Sequence, residues 1–257
     1  VELKDAVRRL YKFAPAVLSL TTIVRKEPKP GEETEEDTES NQRRPQPTTD
    51  EYPVCWFEDE DTQIALRWHL FAGCLWDMKG KPKSLPWKIR LHFTQYPSSQ
   101  ILPLEGDVMT GVQRSYKNAL KQALFLQHGT AKVALGLNKQ SHEQIWDAII
   151  HHNYKLFQHV NEDIYGGSNF LPVRVFIDAR PPIQRRVSFS HDLKLGCLLV
   201  DWAPTLFRKS DEVSEPTSSD IIWAVQGLQI PLESKLVDIW SALCHPDHFL
   251  YIIVVSR

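Results

Sequence analysis

The chain has 257 residues, enough for one large domain or two to three small ones. A hydrophobic share of 42%, with 8 Trp, supplies material for real cores, while a formal net charge of −2 gives no overall pull toward nucleic acid or acidic lipid. The longest uninterrupted apolar run, Phe249 to Val255, falls far short of a bilayer span and excludes an integral membrane protein built on such a helix.

Residues 2–13, ELKDAVRRLYKF, set Leu3, Ala6, Val7, Leu10 and Tyr11 at helical spacing with charges between them, which predicts an amphipathic helix ended by Pro15. Residues 26–51 contain no aromatic or branched aliphatic side chain and are dense in Glu, Pro, Thr and Gln. Such a segment cannot bury enough surface to offset chain entropy, so 26–52 is predicted to be a disordered acidic insertion.

Order returns with a strand at Val54-Cys55-Trp56-Phe57. Gln63 to Trp68 alternates apolar and polar residues and reads as the neighbouring strand, across an acidic turn at Glu58 to Asp61. A helical piece follows at Phe71 to Met78, stopped by Gly80 and Pro82. From Trp87 to Phe93 the alternation is strict, which predicts a half-buried strand with His92 toward solvent. Residues 97–106 form a linker, and 108–160 reads as helix.

Val112 to Gln127, laid out at about 100° per residue, gathers Val112, Tyr116, Ala119, Leu120 and Ala123 on one side. Lys121 falls opposite that stripe, as a solvated helix lysine would. Lys117 lies nearer the flank, while Lys132 and Lys139 sit in loop-like contexts. A second helix is predicted at Ala131 to Leu137. A third runs from His142 to Val160 behind Ser141, whose Ser-x-x-Gln spacing to Gln144 fits a capping box. Ile145, Ala148, Ile149, His152 and Leu156 form its apolar side, with Trp146 alongside. Helices this short need partners, so the segment is a packed bundle. His151 and His152 point about 100° apart and have no carboxylate or Cys to complete a ligand set.

After Gly166-Gly167-Ser168, Leu171 to Asp178 predicts a strand with Val173, Val175 and Ile177 on one face. Pro181-Pro182 turns the chain into a second strand at Arg185 to Phe189. Then come a helix at Leu193 to Trp202, a polar loop at Lys209 to Asp220, a strand at Ile221 to Gln226 and a turn at Gly227. A short partner at Leu228 to Leu232, a helix at Ser234 to Leu243 and a strand at Phe249 to Val255 complete the chain. The order β-β-α-β-β-α-β specifies a mixed sheet covered on one face by a helix, the ubiquitin-like or β-grasp arrangement.

A weak internal repeat points the same way. QIALRW, a helix containing LWDM and then PWKIRLHF is matched by LQIPLE, a helix containing DIWSAL and then HFLYIIV. The first copy lacks the equivalent of the hairpin 171–189, so it is expected to be N-terminally incomplete. The expected fold is therefore α+β. Two ubiquitin-like (β-grasp) domains, 1–97 and 169–257, flank a small helical bundle at 105–166.

Cys55, Cys74, Cys197 and Cys244 show neither CxxC spacing nor a His in zinc-finger register, and their apolar contexts suggest buried thiols in a reducing compartment. No metal and no other cofactor is expected.

Several stretches in order resemble one family, autophagy protein 5. They are Leu66-Arg67-Trp68-His69 with Leu75-Trp76-Asp77, Leu85 to Phe93, Tyr116-x-Asn118-Ala119-Leu120-Lys121-Gln122-Ala123, and Gln144-Ile145-Trp146. The series continues with Leu171-Pro172-Val173-Arg174-Val175-Phe176, Gln226-Gly227-Leu228, and Pro246-Asp247-His248-Phe249-Leu250-Tyr251-Ile252. The resemblance implies a non-catalytic scaffold joined covalently, through one lysine, to the C-terminal glycine of the ubiquitin-like autophagy protein 12. E2-like conjugating enzymes carry that modifier as a thioester. It further implies a non-covalent complex with the coiled-coil autophagy protein 16 and E3-like promotion of autophagy protein 8 lipidation. The implied location is the cytoplasm and, peripherally, the autophagosomal (preautophagosomal structure) membrane. The position matching the acceptor lysine is Lys121. Tyr116, Ala119 and Gln122 stand where the motif has Phe, Ser and Glu.

Two other readings compete. One is a thiol- or metal-dependent enzyme using Cys55, Cys74 or Cys197 with a histidine, which lacks a nucleophile elbow, paired carboxylates and metal spacing. The other is a ubiquitin-like adaptor that binds partners without being conjugated.

Overall fold

The run Leu171 to Ile177 alternates branched apolar residues with Pro172, Arg174 and Phe176, and it becomes the strand on which the molecule is assembled. The computed structural model describes residues 56–68, 70–79, 87–101, 108–162, 164, 170–178, 180–210 and 213–256. The predicted helix 2–13, the acidic insertion, Cys55 and the break at Gly166 to Ser168 lie outside these residues.

Strand β3 (Phe170–Ile177) pairs antiparallel with β4 (Ile183–Ser188) and parallel with β8 (Leu250–Val255). β8 also pairs antiparallel with β7 (Ile222–Ala224), so the sheet order is β4-β3-β8-β7. Helices α6 (Leu195–Trp202) and α7 (Leu236–Leu243) cover one face, where Leu171, Val173, Val175, Leu199, Leu236, Ile252 and Val254 form the largest core. The opposite face is buried as well. Phe176, Phe249, Tyr251 and Ile253 pack there with Leu66, Leu70, Cys74 and Leu75 of the first domain and with Ala123 of the bundle. The expected one-faced sheet is thus covered on both sides, which is why β8 reads as a continuous apolar run.

Two local expectations in this domain fail. Lys209 to Asp220 is not simply a loop, because β5 (Phe207–Ser210) and β6 (Val213–Pro216) form a hairpin there. Its mostly polar side chains hide the strand period, and fully buried Phe207 ties it to the core. Leu228 to Leu232 makes no strand. A single bridge joins Val225 and Leu228, because Gln226 (φ 50) and Gly227 (φ 81) fold the chain tightly back in left-handed backbone.

In the first domain β1 (Trp56–Asp59) pairs antiparallel with β2 (Ile89–His92). Gln63 to Trp68 forms only the bridge from Ala65 to Glu58 rather than the expected neighbouring strand. Asp59 causes this: its carboxylate accepts from the N–H groups of Asp61 (3.0 Å) and Thr62 (2.8 Å), and Gln63 follows in left-handed backbone. His92 does not simply face solvent, since its ring stacks on Trp56 at 4.0 Å. Helix α1 (Ala72–Met78) carries Cys74, Leu75 and Asp77 inward.

The bundle contains α2 (Val108–His128), α3 (Lys132–Gly136), α4 (Lys139–Ile150) and α5 (Tyr154–Glu162). The single helix expected over 142–160 is two. His152 adopts φ 53, and the Asn153 side chain accepts from Leu156 N–H at 3.1 Å to start α5. The cap of α4 is Asn138, which accepts from Ser141 N–H at 2.7 Å, so Ser141 is a capped residue rather than the cap. Lys132 and Lys139 are the first residues of α3 and α4, not loop residues. Among the described residues no helix is long and apolar enough to cross a membrane.

Candidate functional site

Lys121 lies on a helix whose other side is sealed. Tyr116, Leu120, Ala123, Leu124 and Gln127 of α2 are buried, Ala119 and Val112 are half-buried, and Lys121 and Gln122 are exposed. The helix forms because Ala, Leu, Lys and Gln dominate its second half, and it stays because Leu120 and Leu124 fill the bundle core with Ile145, Ala148, Ile149 and Phe157. Helical geometry then places Phe125 about 40° from Lys121 on the same outer face. Phe125 is 53% exposed.

Polar anchors hold α2 against the last domain. The Tyr116 hydroxyl donates to the Pro246 carbonyl at 3.2 Å. Buried His248 lies between Gln127 (Nδ1 to Oε1, 3.3 Å) and Asn161 (Nε2 to Oδ1, 2.6 Å), which joins α2 and α5 to the turn before β8. Beside Lys121, Gln122 Oε1 accepts from Arg174 Nη2 at 3.1 Å. The same guanidinium donates to the Tyr251 hydroxyl at 3.1 Å and lies 4.0 Å from the Phe249 ring centre.

Asp247 completes this network, accepting from the Tyr251 hydroxyl at 2.6 Å and from Phe249 N–H at 3.1 Å. Burial pushes its carboxyl up to about 6, opposed by the Tyr251 hydrogen bond and the Arg174 charge. Burial likewise drives the Tyr116 and Tyr251 hydroxyls well above the usual tyrosine range. His142, at the start of α4, is held below the usual histidine range by burial and then by the charges of Lys117 and Lys121.

None of the three described cysteines is set up as a nucleophile. Cys74 and Cys244 are buried, whereas Cys197 is exposed, contrary to expectation, because it sits on the outer side of α6. Cys74 Sγ lies 3.6 Å from His245 Nε2, a pairing that outwardly resembles a catalytic one. Burial, reinforced by the charges of Asp77 and Asp247, raises that thiol well above its usual range, opposite to what thiolate attack requires. His151 bonds its own helix through Asp147, and among the described residues no three His, Cys, Asp or Glu side chains group as a metal site.

Three models of one family match the chain in sequence. They are described as the UblA domain (residues 35–93), the alpha-helical bundle region (109–167) and the UblB domain (170–254) of autophagy protein ATG5. The chain belongs to the autophagy protein 5 family. Autophagy protein 5 of Candida albicans is 30% identical over 217 residues, spanning 78% of this chain and 74% of that protein. Its counterpart from Scheffersomyces stipitis is 27% identical over 222 residues, spanning 79% and 76%. The crystal structure of Kluyveromyces marxianus Atg5 superposes with a TM-score of 0.65 at 25% identity, covering 82% of this chain and 76% of that one. The architecture is therefore that of the autophagy protein 5 family, two ubiquitin-like domains around a helical bundle, and the family is one of autophagy scaffolds.

Arg174, Gln127, Asn161 and His248 were not singled out as functional side chains from the sequence. The signal lay in polar residues interrupting apolar runs, as Arg174 interrupts Val173 and Val175.

Proposed function

We propose that this autophagy protein accepts the ubiquitin-like autophagy protein 12 on Lys121. The conjugate, with autophagy protein 16, would then promote attachment of autophagy protein 8 to membrane lipid. The observation that carries this reading is the placement of Lys121. It is an exposed amine on the outer face of a helix fixed at Tyr116, Gln122 and Gln127.

An acceptor needs exposure and a rigid support, since the activated carbonyl comes from elsewhere. A lysine ammonium is almost wholly protonated near neutral pH, so the conjugating enzyme must orient the amine and receive its proton. The neutral amine attacks the carbonyl carbon of the modifier's C-terminal glycine thioester. The C–N bond forms, the C–S bond breaks and the enzyme's cysteine leaves as thiolate. Autophagy protein 16 and the E2-like enzymes are partners in this reading, with the cytoplasm and the surface of the autophagosomal membrane as the place of action.

Co-expression with the modifier and its two enzymes tests the reading. A covalent adduct resistant to reducing agent is expected, and Lys121→Arg should abolish it. A fully conjugated Lys121→Arg variant would place the acceptor elsewhere, and absence of any adduct would favour an adaptor that is never conjugated.

A further inference from the structure

Helix α2 contains no Asp or Glu along its 21 residues, and neither do β3 and β4, on which it packs. In a chain of 30 basic and 32 acidic residues, such a stretch is a local excess of one sign. Arg114, Lys117 and Lys121 fall within about 60° of one another around α2. Strand alternation and the register Arg174↔Gln184 and Pro172↔Arg186 put Arg174 and Arg186 on the sheet face toward α2. Gln122 accepts from Arg174, and a Cβ added at Gly129, beyond the end of α2, would stand 3.4 Å from Arg186 Nη1. Both guanidinium groups thus flank the Lys121 face.

Among the described residues Arg114, Lys117, Lys121 and Arg186 pair with no carboxylate, whereas Arg174 meets amides, a hydroxyl and aromatic rings and is partly offset by the buried Asp247 carboxylate behind Tyr251. Across the groove between α2 and α4, Glu143 and Asp147 are themselves tied to Lys139 and His151. Phe125, more than half exposed, supplies an apolar spot within this ring of positive charge.

We infer that the outer face of α2 around Lys121 is the docking surface for an acidic folded protein that delivers the activated carboxyl group. Phe125 is its apolar anchor, and Arg114, Lys117 and Arg186 are its steering charges. The inference rests on the reading of Lys121 as acceptor and adds the chemistry of what approaches it. Unpaired cations around an apolar spot raise the encounter rate with a carboxylate-rimmed surface and repel a basic one. They act mainly on association and fade as salt screens them.

The test uses the full chain and the ubiquitin-like modifier charged as a thioester on its conjugating enzyme. The double variant Arg114→Glu, Arg186→Glu should lower the second-order rate of adduct formation roughly tenfold at low salt. The maximal rate and thermal midpoint should stay unchanged, and the gap should close in high salt. The single variant Arg114→Glu, at an exposed side chain, should show a smaller loss of the same kind and controls for any folding defect. Salt dependence identical to that of the parent would overturn the inference.

If the parent forms no adduct, the acceptor reading fails. Docking is then read from direct binding of the charged enzyme to parent and double variant across the same salts, where equal binding overturns it and a salt-sensitive loss upholds it. Loss of binding to phosphatidylserine vesicles with unchanged adduct kinetics and enzyme binding would reassign the face to a membrane surface and overturn the inference as well.

Discussion

Asp77 of α1 accepts a hydrogen bond from the backbone N–H of Gly227 at 2.8 Å, joining positions 150 residues apart. The carboxylate is 2% exposed and belongs to the first ubiquitin-like domain, while Gly227 belongs to the turn after β7 in the second. With the apolar contacts of Leu66, Leu70, Cys74 and Leu75 on Phe176, Phe249 and Ile253, it docks the first domain onto the outer face of the last sheet.

Asp77→Ala takes from the Gly227 N–H its charged acceptor. A loss of about 1–3 kcal/mol is expected in denaturant unfolding, with Asp77→Asn costing less because it keeps an amide oxygen. Equal stability of Asp77→Ala and the parent would mean that water or a neighbour replaces the bond.

Adjacent residues on α2 should behave oppositely. Leu120 is 1% exposed within the bundle core, and Leu120→Ala should cost about 2–5 kcal/mol. Lys121→Arg should change stability by no more than about 0.5 kcal/mol while abolishing the adduct. Matched thermal or chemical unfolding of the two variants checks the orientation of the helix independently of conjugation.

Asp247 makes stability depend on pH. Its folded carboxyl, at about 6, holds a proton more tightly than the unfolded one at 3.8. Stability from this group is therefore complete below about pH 4 and is lost as pH rises to about 6, a change on the order of 3 kcal/mol. Asp247→Asn removes that component. Unfolding curves at pH 4.5 and 7 should show the parent weakening relative to the variant as pH rises, and parallel behaviour would contradict the burial of this carboxyl.

Gly196 on α6 leaves no room for a side chain. A Cβ there would stand 2.5 Å from Ser214 Cβ and 3.1 Å from Leu232 Cβ. Gly196→Ala should destabilise by about 1–3 kcal/mol despite the better helix propensity of Ala. The double variant Gly196→Ala, Ser214→Gly should recover part of that loss in the same unfolding assay.

Asp59 should give the opposite pH trend. Burial acts to raise its carboxyl, but hydrogen bonds from Thr62, Trp87 and Lys79 hold it below 3.8. The stability it contributes is present above that value and is lost as pH falls through the lowered one. Lys79→Met should therefore lower the thermal midpoint at pH 7, with the difference shrinking in strong acid.

Periodicity alone revealed every helix in the described residues to within a few positions, apart from the break at His152. It also located the strands at β3, β7 and β8 and the outward face of Lys121, because those features are set by which side of a 3.6- or 2-residue repeat is apolar. The β5–β6 hairpin escaped because its side chains are mostly polar and its register comes from pairing rather than burial. The break at His152 and the lack of a strand at Leu228 to Leu232 escaped because left-handed backbone at His152 and Gln226 leaves no mark in an apolar pattern. Tertiary packing alone decided that the last sheet is buried on both faces and that Asp77 and Gly227 meet. Tertiary packing also set Arg174 between Gln122 and Tyr251, beside Lys121. Such contacts join residues with no fixed separation along the chain, so only the folded arrangement turns an interrupting arginine or aspartate into an anchor.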